Sequence, residues 1–270
     1  MQYDPIKKVL GNFFNRTPAM RKLFYRMLDW LLLRTWHVKK ELREWKKDKE
    51  DDVKILDAGS GFGQYDYALI RMNSKWNIDG IDVKDDQVED CNQFFTRIGF
   101  PNVSFHVDDL TTYYKDNYYD LVLSVDVMEH ILEDVQVFKN FYRSMKPGGM
   151  VLISTPSDQG GSDVHDHDDE SFIEEHVRDG YNIEEIQDKL KSAGFQKTQA
   201  RYSYGKPGQI SWRLSMKYPI QLLNTSKLFF ILIPFYYLLT FPIACCLNRR
   251  DVNKKHSSGT GLIVKAWKTE

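Results

Sequence analysis

Cysteine is scarce in this sequence of 270 residues. The three cysteines, Cys91, Cys245 and Cys246, are too few for a disulfide framework, so the composition fits a reducing compartment. No internal repeat or low-complexity tract occurs, which excludes repeat and fibrous architectures. The first residues lack the compact apolar core and cleavage site of a secretory signal, and we expect the main domain to be cytosolic.

An excess of charge of one sign is also lacking, but the net charge of −1 conceals a strong asymmetry. Residues 1–50 carry 13 Lys and Arg against 6 Asp and Glu, and residues 206–255 carry 8 against 1. The rest of the chain is therefore strongly acidic. Both basic segments are rich in large apolar residues, which favours an anionic membrane surface over nucleic acid as their partner. Ordinary solvated helix faces are the alternative.

The central part of the chain alternates predicted strands with predicted helices. Short apolar runs with the composition of strands occur at 53–59, 77–83, 103–109, 119–127, 148–156, 196–204 and 260–269. Helical periodicity covers 85–98, 131–145 and 181–195, the last with Asn182 as its N-cap. This alternation predicts an α/β fold with a mostly parallel sheet and helices on both faces.

Two basic segments accompany this predicted core. Residues 1–50 form a helical extension, in which Thr17 is the expected N-cap of a helix. The core covers 51–205 and 256–270, and residues 206–255 form an insertion before the last strand.

The sharpest signal is the glycine-rich turn DAGSGFG, residues 57–63, directly after the first strand. Gly59, Gly61 and Gly63 permit a tight turn and close backbone approach before a helix, an arrangement that suits a nucleotide-like ligand. A dinucleotide fingerprint needs its third glycine at position 64, where this chain has Gln64. The spacing therefore disfavours a nicotinamide cofactor.

The pattern D-x-G-x-G-x-G resembles the first motif of the class I S-adenosylmethionine-dependent methyltransferases. Further motifs follow in the order of that family: GIDV, HVDDL, YDLVLSVDVMEHI and MKPGGMVLIS. The resemblance covers about 52–204 and 260–269, and is to members that methylate quinones and other small molecules. It implies a Rossmann-like, seven-stranded, mostly parallel sheet.

The resemblance also implies how S-adenosylmethionine is held. The carboxylate of Asp82 would accept hydrogen bonds from the ribose hydroxyls, and Asp108 would contact the adenine amino group. Asp108 is preferred to Asp109 because its interval to Asp120 matches quinone-methylating relatives. Asp82 and Asp108 could instead cap strand ends. The implied cofactor contacts are Asp57, Gly59, Ser60, Gly61, Gly63, Asp82, Val83, Asp108, Asp109, Leu110 and Ser124.

Methyl transfer from a sulfonium is an in-line displacement, so the protein mainly aligns the reactants and excludes water. A hydroxyl or phenol acceptor also needs a base near neutral pH, and histidine is the usual choice. His130 follows the fourth strand, and in relatives with the same Glu-His pair this histidine lies near the substrate. We predict that His130 is catalytic, with a structural hydrogen bond as the alternative.

The segment after the fifth strand, residues 154–181, is rich in histidine and carboxylates. His165 and His167 could bind a divalent metal, but the separations do not match a regular zinc pattern, and most members of the family need none. We predict no metal and a polar substrate lid, with His165, His167 and Arg178 as candidates on the substrate side. The guanidinium of Arg178 could clamp a carboxylate or phosphate.

The insertion contains an apolar run of membrane-spanning length. Residues 228–247 carry no formal charge, and an amphipathic stretch at 210–223 precedes them. A single crossing would separate the last strand from its sheet, so the chain must leave and return on one side. Pro234 and Pro242 would each interrupt a helix, and we expect an in-plane or re-entrant membrane element. Burial in a protein–protein interface is the alternative.

The sequence therefore predicts a monotopic methyltransferase on the cytoplasmic face of a membrane. Its acceptor would be a membrane lipid or lipophilic small molecule: a polyprenyl quinone or phenol precursor, a lipid head group or a lipid-linked glycan. An anionic membrane surface is the expected partner, and nucleic acid is not. A non-catalytic membrane scaffold with the same fold, and an enzyme using a decarboxylated or nicotinamide cofactor, are the alternatives.

Overall fold

The strands among the described residues form one sheet of seven. The computed structural model describes residues 17–160, 177–226 and 228–269. The strands are β1 (Lys54–Ala58), β2 (Asn77–Asp82), β3 (Val103–Val107), β4 (Tyr119–Val125), β5 (Met145–Pro156), β6 (Lys197–Ser203) and β7 (Gly261–Trp267). Their order across the sheet is β3-β2-β1-β4-β5-β7-β6.

Within the described residues, β7 alone runs opposite to the other six strands. It pairs with β5 and β6, and Val264 lies opposite Ile153 and Ala200. The remaining neighbours, from β3 to β5, pair in parallel. The predicted fold class and the antiparallel return of the last strand are confirmed. The order reverses between β1 and β4, and open α/β sheets bind their ligands at the carboxyl ends of strands beside such a point.

The helices alternate with the strands as the sequence predicts. They are α1 (Pro18–Leu31), α2 (Leu33–Trp45), α3 (Gln64–Met72), α4 (Asp85–Arg97), α5 (Asp134–Ser144), α6 (Ile183–Ser192), α7 (Lys206–Trp212), α8 (Tyr218–Thr225) and α9 (Phe229–Asn253). Both predicted caps are present: Thr17 Oγ1 accepts from Met20 N at 3.2 Å, and Asn182 Oδ1 accepts from Glu184 N at 2.8 Å.

Two apolar cores lie on opposite faces of the sheet, because successive strand residues point to opposite sides. Ile55 of β1 belongs to the core that packs beneath α1 to α4, and its neighbour Leu56 belongs to the core beneath α5 and α6. Both side chains are fully buried. Helices cover both faces of the sheet, as predicted.

The N-terminal extension is fixed to the core through a buried arginine. The guanidinium of Arg21 in α1 pairs with Asp90 of α4 at 2.6 Å and donates to the carbonyl of Phe62 at 2.9 Å. In α2, Glu41 pairs with Arg201 of β6 at 2.9 Å and with Lys265 of β7 at 2.6 Å. The extension therefore lies over the glycine turn and one edge of the sheet.

The insertion is an antiparallel helical hairpin. Its outgoing arm runs from α7 through a π turn at Arg213–Lys217 into α8, and its returning arm is α9. Ser211 Oγ donates to the side chain of Asn248 at 2.6 Å, and Tyr236 Oη donates to the carbonyl of Leu214 at 2.7 Å. The chain thus leaves the core and returns on one side.

One sequence expectation about this segment is wrong. Helix α9 continues through Pro234 and Pro242 without interruption, and the chain reverses direction between α8 and α9 instead. An interior proline costs a helix one hydrogen bond, about 3 kcal/mol, but it does not oblige the chain to turn. At 25 residues, α9 is long and apolar enough to cross a membrane. Only 6% of an apolar stretch of 18 residues within it is buried in the protein.

Candidate active site

The glycine turn forms a cradle at the carboxyl end of β1. Gly59, Gly61 and Gly63 have φ angles of 83°, 51° and 71°, a region that favours glycine. A Cβ on Gly59 would lie 2.2 Å from Val127, so no side chain fits there. A Cβ on Gly61 would instead project into open space, where its nearest neighbour is Gln87 at 3.9 Å. The backbone at Gly61 is therefore accessible to a ligand.

Asp82, at the end of β2, faces this turn. Its Oδ2 accepts from the backbone N–H of Gly61 at 2.9 Å, and its Oδ1 accepts from that of Lys84 at 3.1 Å. Each carboxylate oxygen has a second lone pair that can accept from a hydroxyl. Asp82 is thus oriented by the main chain and has the capacity to bind a vicinal diol such as a ribose.

Buried polar atoms without partners lie beneath the same turn. Within the described residues, Asp57 Oδ2, Ser60 Oγ and Ser124 Oγ have no hydrogen-bond partner, and neither carboxylate oxygen of Asp66 has one. Burial and the neighbouring Asp66 raise the pKa of Asp57 well above its ordinary value. Unpaired buried groups are costly, so this cluster indicates a site for a polar, partly cationic ligand.

The predicted cofactor contacts that follow β2 and β3 differ in their exposure to solvent. Val83 is 59% exposed, so it offers an apolar surface beside Asp82. Asp108 and Asp109 are also exposed, but Asp109 Oδ1 already accepts from the backbone and hydroxyl of Thr111. Leu110 is buried in the core beneath α5. Asp108 Oδ1 also accepts, from the backbone N–H of Asp109 at 2.8 Å, and the preference for Asp108 over Asp109 stays a prediction.

These residues fit S-adenosylmethionine. The cradle at Gly61 and the carboxylate of Asp82 suit a nucleoside, and the unpaired Asp57, Ser60 and Ser124 suit the charged amino-acid end. When bound, the cofactor supplies a methyl group activated on a sulfonium. The protein contributes the glycine cradle and the oriented carboxylate of Asp82.

The candidate acceptor side is built around Arg34, at the start of α2. Its guanidinium pairs with Asp126, which directly follows β4, and its backbone N–H donates to Tyr204 Oη at 2.9 Å. Asp126 and Tyr204 have φ angles of 53° and 55°, a backbone conformation that residues other than glycine rarely adopt. Two strained residues therefore converge on one arginine, and its side chain is still 37% exposed.

The predicted catalytic motif lies beside this pair. Glu129 is buried, accepts from Thr155 Oγ1 at 3.1 Å, and has its pKa raised to about 8 by burial and by Asp126. It therefore retains its proton at neutral pH. His130 follows it in the turn Met128–His130 and is exposed, so its ring is accessible from the carboxyl end of β4. The catalytic role of His130 stays a prediction.

Of the other substrate-side candidates, the structure describes Arg178 alone. His165 and His167 lie outside the described residues. The guanidinium of Arg178 pairs with Asp134 at 2.5 Å and donates to the carbonyl of Ile131 at 2.6 Å, so it fastens the chain to the start of α5. Within the described ranges, no group of three His, Cys, Asp or Glu side chains is arranged to hold a metal ion.

Arg34, Asp126 and Tyr204 were not found by sequence reasoning. Asp126 stands within the YDLVLSVDVMEHI motif, and its position one residue beyond the strand was the available signal. Arg34 and Tyr204 are separated by 170 residues, and they meet only because the extension packs across the edge of the sheet.

The strand order and the cradle at the β1–β4 switch point define the class I S-adenosylmethionine-dependent methyltransferase fold. A family model described as a methyltransferase domain matches residues 49–204. The chain belongs to this methyltransferase family, as the sequence motifs predicted.

Curated relatives extend the comparison. A phosphoethanolamine N-methyltransferase of Triticum aestivum is 32% identical over 150 residues, which cover 55% of this chain and 29% of that protein. A malonyl-[acyl-carrier protein] O-methyltransferase of Ilyobacter polytropus is 28% identical over 120 residues, covering 44% of this chain and 45% of that protein. The chain spans less than a third of the length of the wheat relative and less than half of the bacterial one.

Solved structures resemble the fold over most of the chain. Phosphoethanolamine N-methyltransferase 2 of Haemonchus contortus, in complex with S-adenosyl-L-methionine, superposes with a TM-score of 0.63 at 17% identity, covering 97% of this chain and 60% of that one. A putative sarcosine dimethylglycine methyltransferase of Galdieria sulphuraria gives 0.57 at 19% identity, covering 93% and 87%. At these identities the likeness concerns the fold alone.

Proposed function

We propose that this protein transfers the methyl group of S-adenosylmethionine to an acceptor borne by a membrane, and that it acts on the cytoplasmic face. The observation that carries the proposal is the exposed apolar surface of the hairpin, called here the hairpin tip: residues 228–243. Leu238 and Leu239 are 73% and 74% exposed, and Leu228 is 75% exposed. An apolar surface of this kind marks an interaction site, and lipid suits its length and composition.

The N-terminal extension continues this surface. Leu23 and Trp30 of α1 are 52% and 50% exposed, and the ring of Trp30 lies 5.8 Å from that of Phe241 in α9. Two separate segments of sequence thus present apolar side chains together. The same two segments carry the basic excess of the chain.

Basic residues accompany the apolar surface. Lys22 and Arg26 are exposed on α1, and Arg249 and Arg250 are exposed where α9 approaches the core. Each Lys or Arg near an anionic surface contributes about 1 kcal/mol of attraction. This charge supports an anionic membrane over a protein as the partner of the hairpin tip.

The chain's own groups support methyl transfer in distinct ways. Asp82 and the glycine cradle hold the donor, and α1 and α2 enclose the site from one side, which limits water. Asp126 and the protonated Glu129 line the acceptor side. His130 accepts the proton that the acceptor loses.

Among the acceptors considered from the sequence, an amine-bearing phospholipid head group has the best support. The wheat and Haemonchus proteins are named for methylation of phosphoethanolamine, which carries an amine and a phosphate. The carboxylate of Asp126 and the guanidinium of Arg34 present opposite charges at one place, as such a zwitterion requires. The O-methyltransferase relatives make a carboxylate acceptor the second candidate.

The decisive test incubates the full chain with methyl-labelled S-adenosylmethionine and vesicles made from a total lipid extract. We expect label in the lipid phase, on a head-group amine identified by mass spectrometry, and no label with the Asp82→Ala variant. Label confined to water-soluble products, or no transfer at all, would contradict the proposal.

A further inference from the structure

Asp251, near the end of α9, is a completely buried carboxylate that connects the hairpin to the acceptor side. Its side chain is 0% exposed although it stands one residue after the exposed Arg250. Asp251 Oδ1 accepts from His37 Nε2 at 2.9 Å, and Oδ2 accepts from the backbone N–H of Gly208 at 2.9 Å. One carboxylate therefore joins the two arms of the hairpin to α2.

The same carboxylate reaches the end of β6. The backbone N–H of Tyr204 donates to Asp251 Oδ1 at 3.2 Å, and the ring of Tyr204 stacks on that of His37 with centroids 6.4 Å apart. Tyr204 holds its left-handed backbone conformation at this point. Such strain persists only where the surroundings enforce it, and Asp251 is one of the groups that do so.

The protonation state of His37 gives each of its hydrogen bonds a fixed direction. Burial and the nearby Arg201 lower the pKa of His37 against the raising effect of Asp251, so the ring is neutral at pH 7. A neutral ring donates from Nε2 to Asp251 and accepts at Nδ1 from Arg201, 3.1 Å away. Each partner then has one defined role.

From Tyr204 the connection continues to the site. Its hydroxyl accepts from the backbone N–H of Arg34, which is otherwise an unpaired donor in the first turn of α2. The guanidinium of the same residue binds Asp126. Three contacts thus lead from the base of the apolar helix to the carboxylate beside Glu129 and His130.

We propose that Asp251 and Tyr204 are positioning residues that couple seating of the hairpin on a bilayer to the Arg34–Asp126 pair. This inference rests on the proposed membrane function. When lipid contacts the hairpin tip, α9 and α2 become fixed as one unit, and the acceptor side becomes ordered. The enzyme is then most competent when it lies on the surface that carries its acceptor. By linkage, ordering of the acceptor side strengthens membrane binding by the same factor.

Hydrogen exchange on the full chain tests this coupling. The probes are S-adenosylhomocysteine and phosphatidylcholine vesicles that contain phosphatidylglycerol, and exchange is followed in the hairpin tip and at residues 33–38. In the unaltered protein, we expect vesicles to slow exchange in both regions, by roughly tenfold at residues 33–38. In Tyr204→Phe, the vesicle response of the hairpin tip should persist while that of residues 33–38 falls below about twofold.

The matched control is Tyr202→Phe, two residues earlier in β6, whose hydroxyl accepts from the side chain of Gln159 rather than from α2. It should retain both responses. Asp251→Asn is a second test, since an amide in place of Oδ2 opposes the donor of Gly208, and we expect the same uncoupling. Unchanged binding of S-adenosylhomocysteine verifies that each variant is folded.

The outcomes separate the two proposals. Slowed exchange at the hairpin tip with no vesicle response at residues 33–38 in the unaltered protein would overturn the coupling and leave membrane binding intact. A full response in both Tyr204→Phe and Asp251→Asn would overturn it as well. Absence of any vesicle response at the hairpin tip would refute the membrane function, and the coupling with it.

Discussion

Arg34 and Asp126 form an ion pair across 92 residues of sequence, and this pair joins the N-terminal extension to the carboxyl end of β4. Both side chains are about one-third exposed, so the pair lines an opening rather than a dry core. The glycine cradle lies at the neighbouring strand, β1. The extension is therefore part of the site and not merely a cover on the fold.

The first prediction concerns this pair. Arg34→Ala should lower methyl transfer by at least about tenfold, because Asp126 loses the charge-assisted hydrogen bond that orients it. Binding of S-adenosylhomocysteine, measured by calorimetry, should change little. Arg43→Ala, an exposed arginine on the same helix, is the control and should be neutral. Equal turnover in the two variants would show that Arg34 is not part of the active site.

The second prediction concerns the cofactor. Asp82→Ala should weaken binding of S-adenosylmethionine by about 100-fold or more, since two hydrogen bonds to a charged acceptor contribute about 1.5–3 kcal/mol each. Isothermal titration calorimetry measures this directly. Glu89→Ala, an exposed acid on the following helix, should bind normally. Unchanged affinity in the Asp82 variant would show that the ribose is held elsewhere.

The third prediction follows from the buried acids beneath the cradle. Burial raises the pKa of Asp66 to about 6, so between its ordinary value and pH 6 the folded chain binds protons that the unfolded chain has released. The free energy of unfolding should therefore fall as pH rises through this window. Asp66→Asn removes the cost of ionisation, and it should stabilise the protein by about 2 kcal/mol at pH 7.5 and far less at pH 4.5.

Urea unfolding at the two pH values, without cofactor, measures this difference. Asp85→Asn, an exposed acid in the first turn of α4, is the control and should show no such pH dependence. If Asp66→Asn and the unaltered protein differ in stability by the same amount at both pH values, the pKa of Asp66 is not raised in the folded protein.

The fourth prediction separates a structural arginine from a substrate clamp. Arg178 and Lys189 both pair with Asp134, whose side chain is 5% exposed. Arg178→Ala should destabilise the fold by about 3 kcal/mol, because it removes one partner of a buried charge. The KM for the acceptor should stay within about twofold if Arg178 only fastens the chain. A large rise in KM with unchanged stability would show that Arg178 binds the acceptor, as the sequence predicts.

Much of the fold could be predicted because its signals are local. The glycine spacing at 57–63 and the carboxylates that end successive strands are readable along the chain, and parallel strands bring their carboxyl ends to one edge. The interruption of α9 at Pro234 and Pro242 was predicted wrongly. Proline lowers helix propensity, but packing of α9 against α7 and the π turn keeps the helix continuous.

The acceptor side could not be predicted for a different reason. Arg34 and Tyr204 meet Asp126 only through tertiary packing. Asp126 and Tyr204 have positive φ angles, and no sequence pattern marks such a conformation at residues other than glycine. The sequence did locate His130, whose role in catalysis stays a prediction. The cofactor side is read from motifs, whereas the acceptor side depends on how the extension and insertion fold back.

The most direct test of the central claim compares one acceptor chemistry in two forms. Rates of methyl transfer would be measured on phosphatidylethanolamine in vesicles and on free phosphoethanolamine, with the unaltered protein and with Leu238→Ser/Leu239→Ser. Leu132→Ser, at a 69% exposed leucine outside the hairpin segment, is the control. We predict that the double variant loses at least tenfold on vesicles, since each buried leucine contributes about 2 kcal/mol, and is unchanged on the free head group. Equal rates on vesicles for all three proteins would contradict the account.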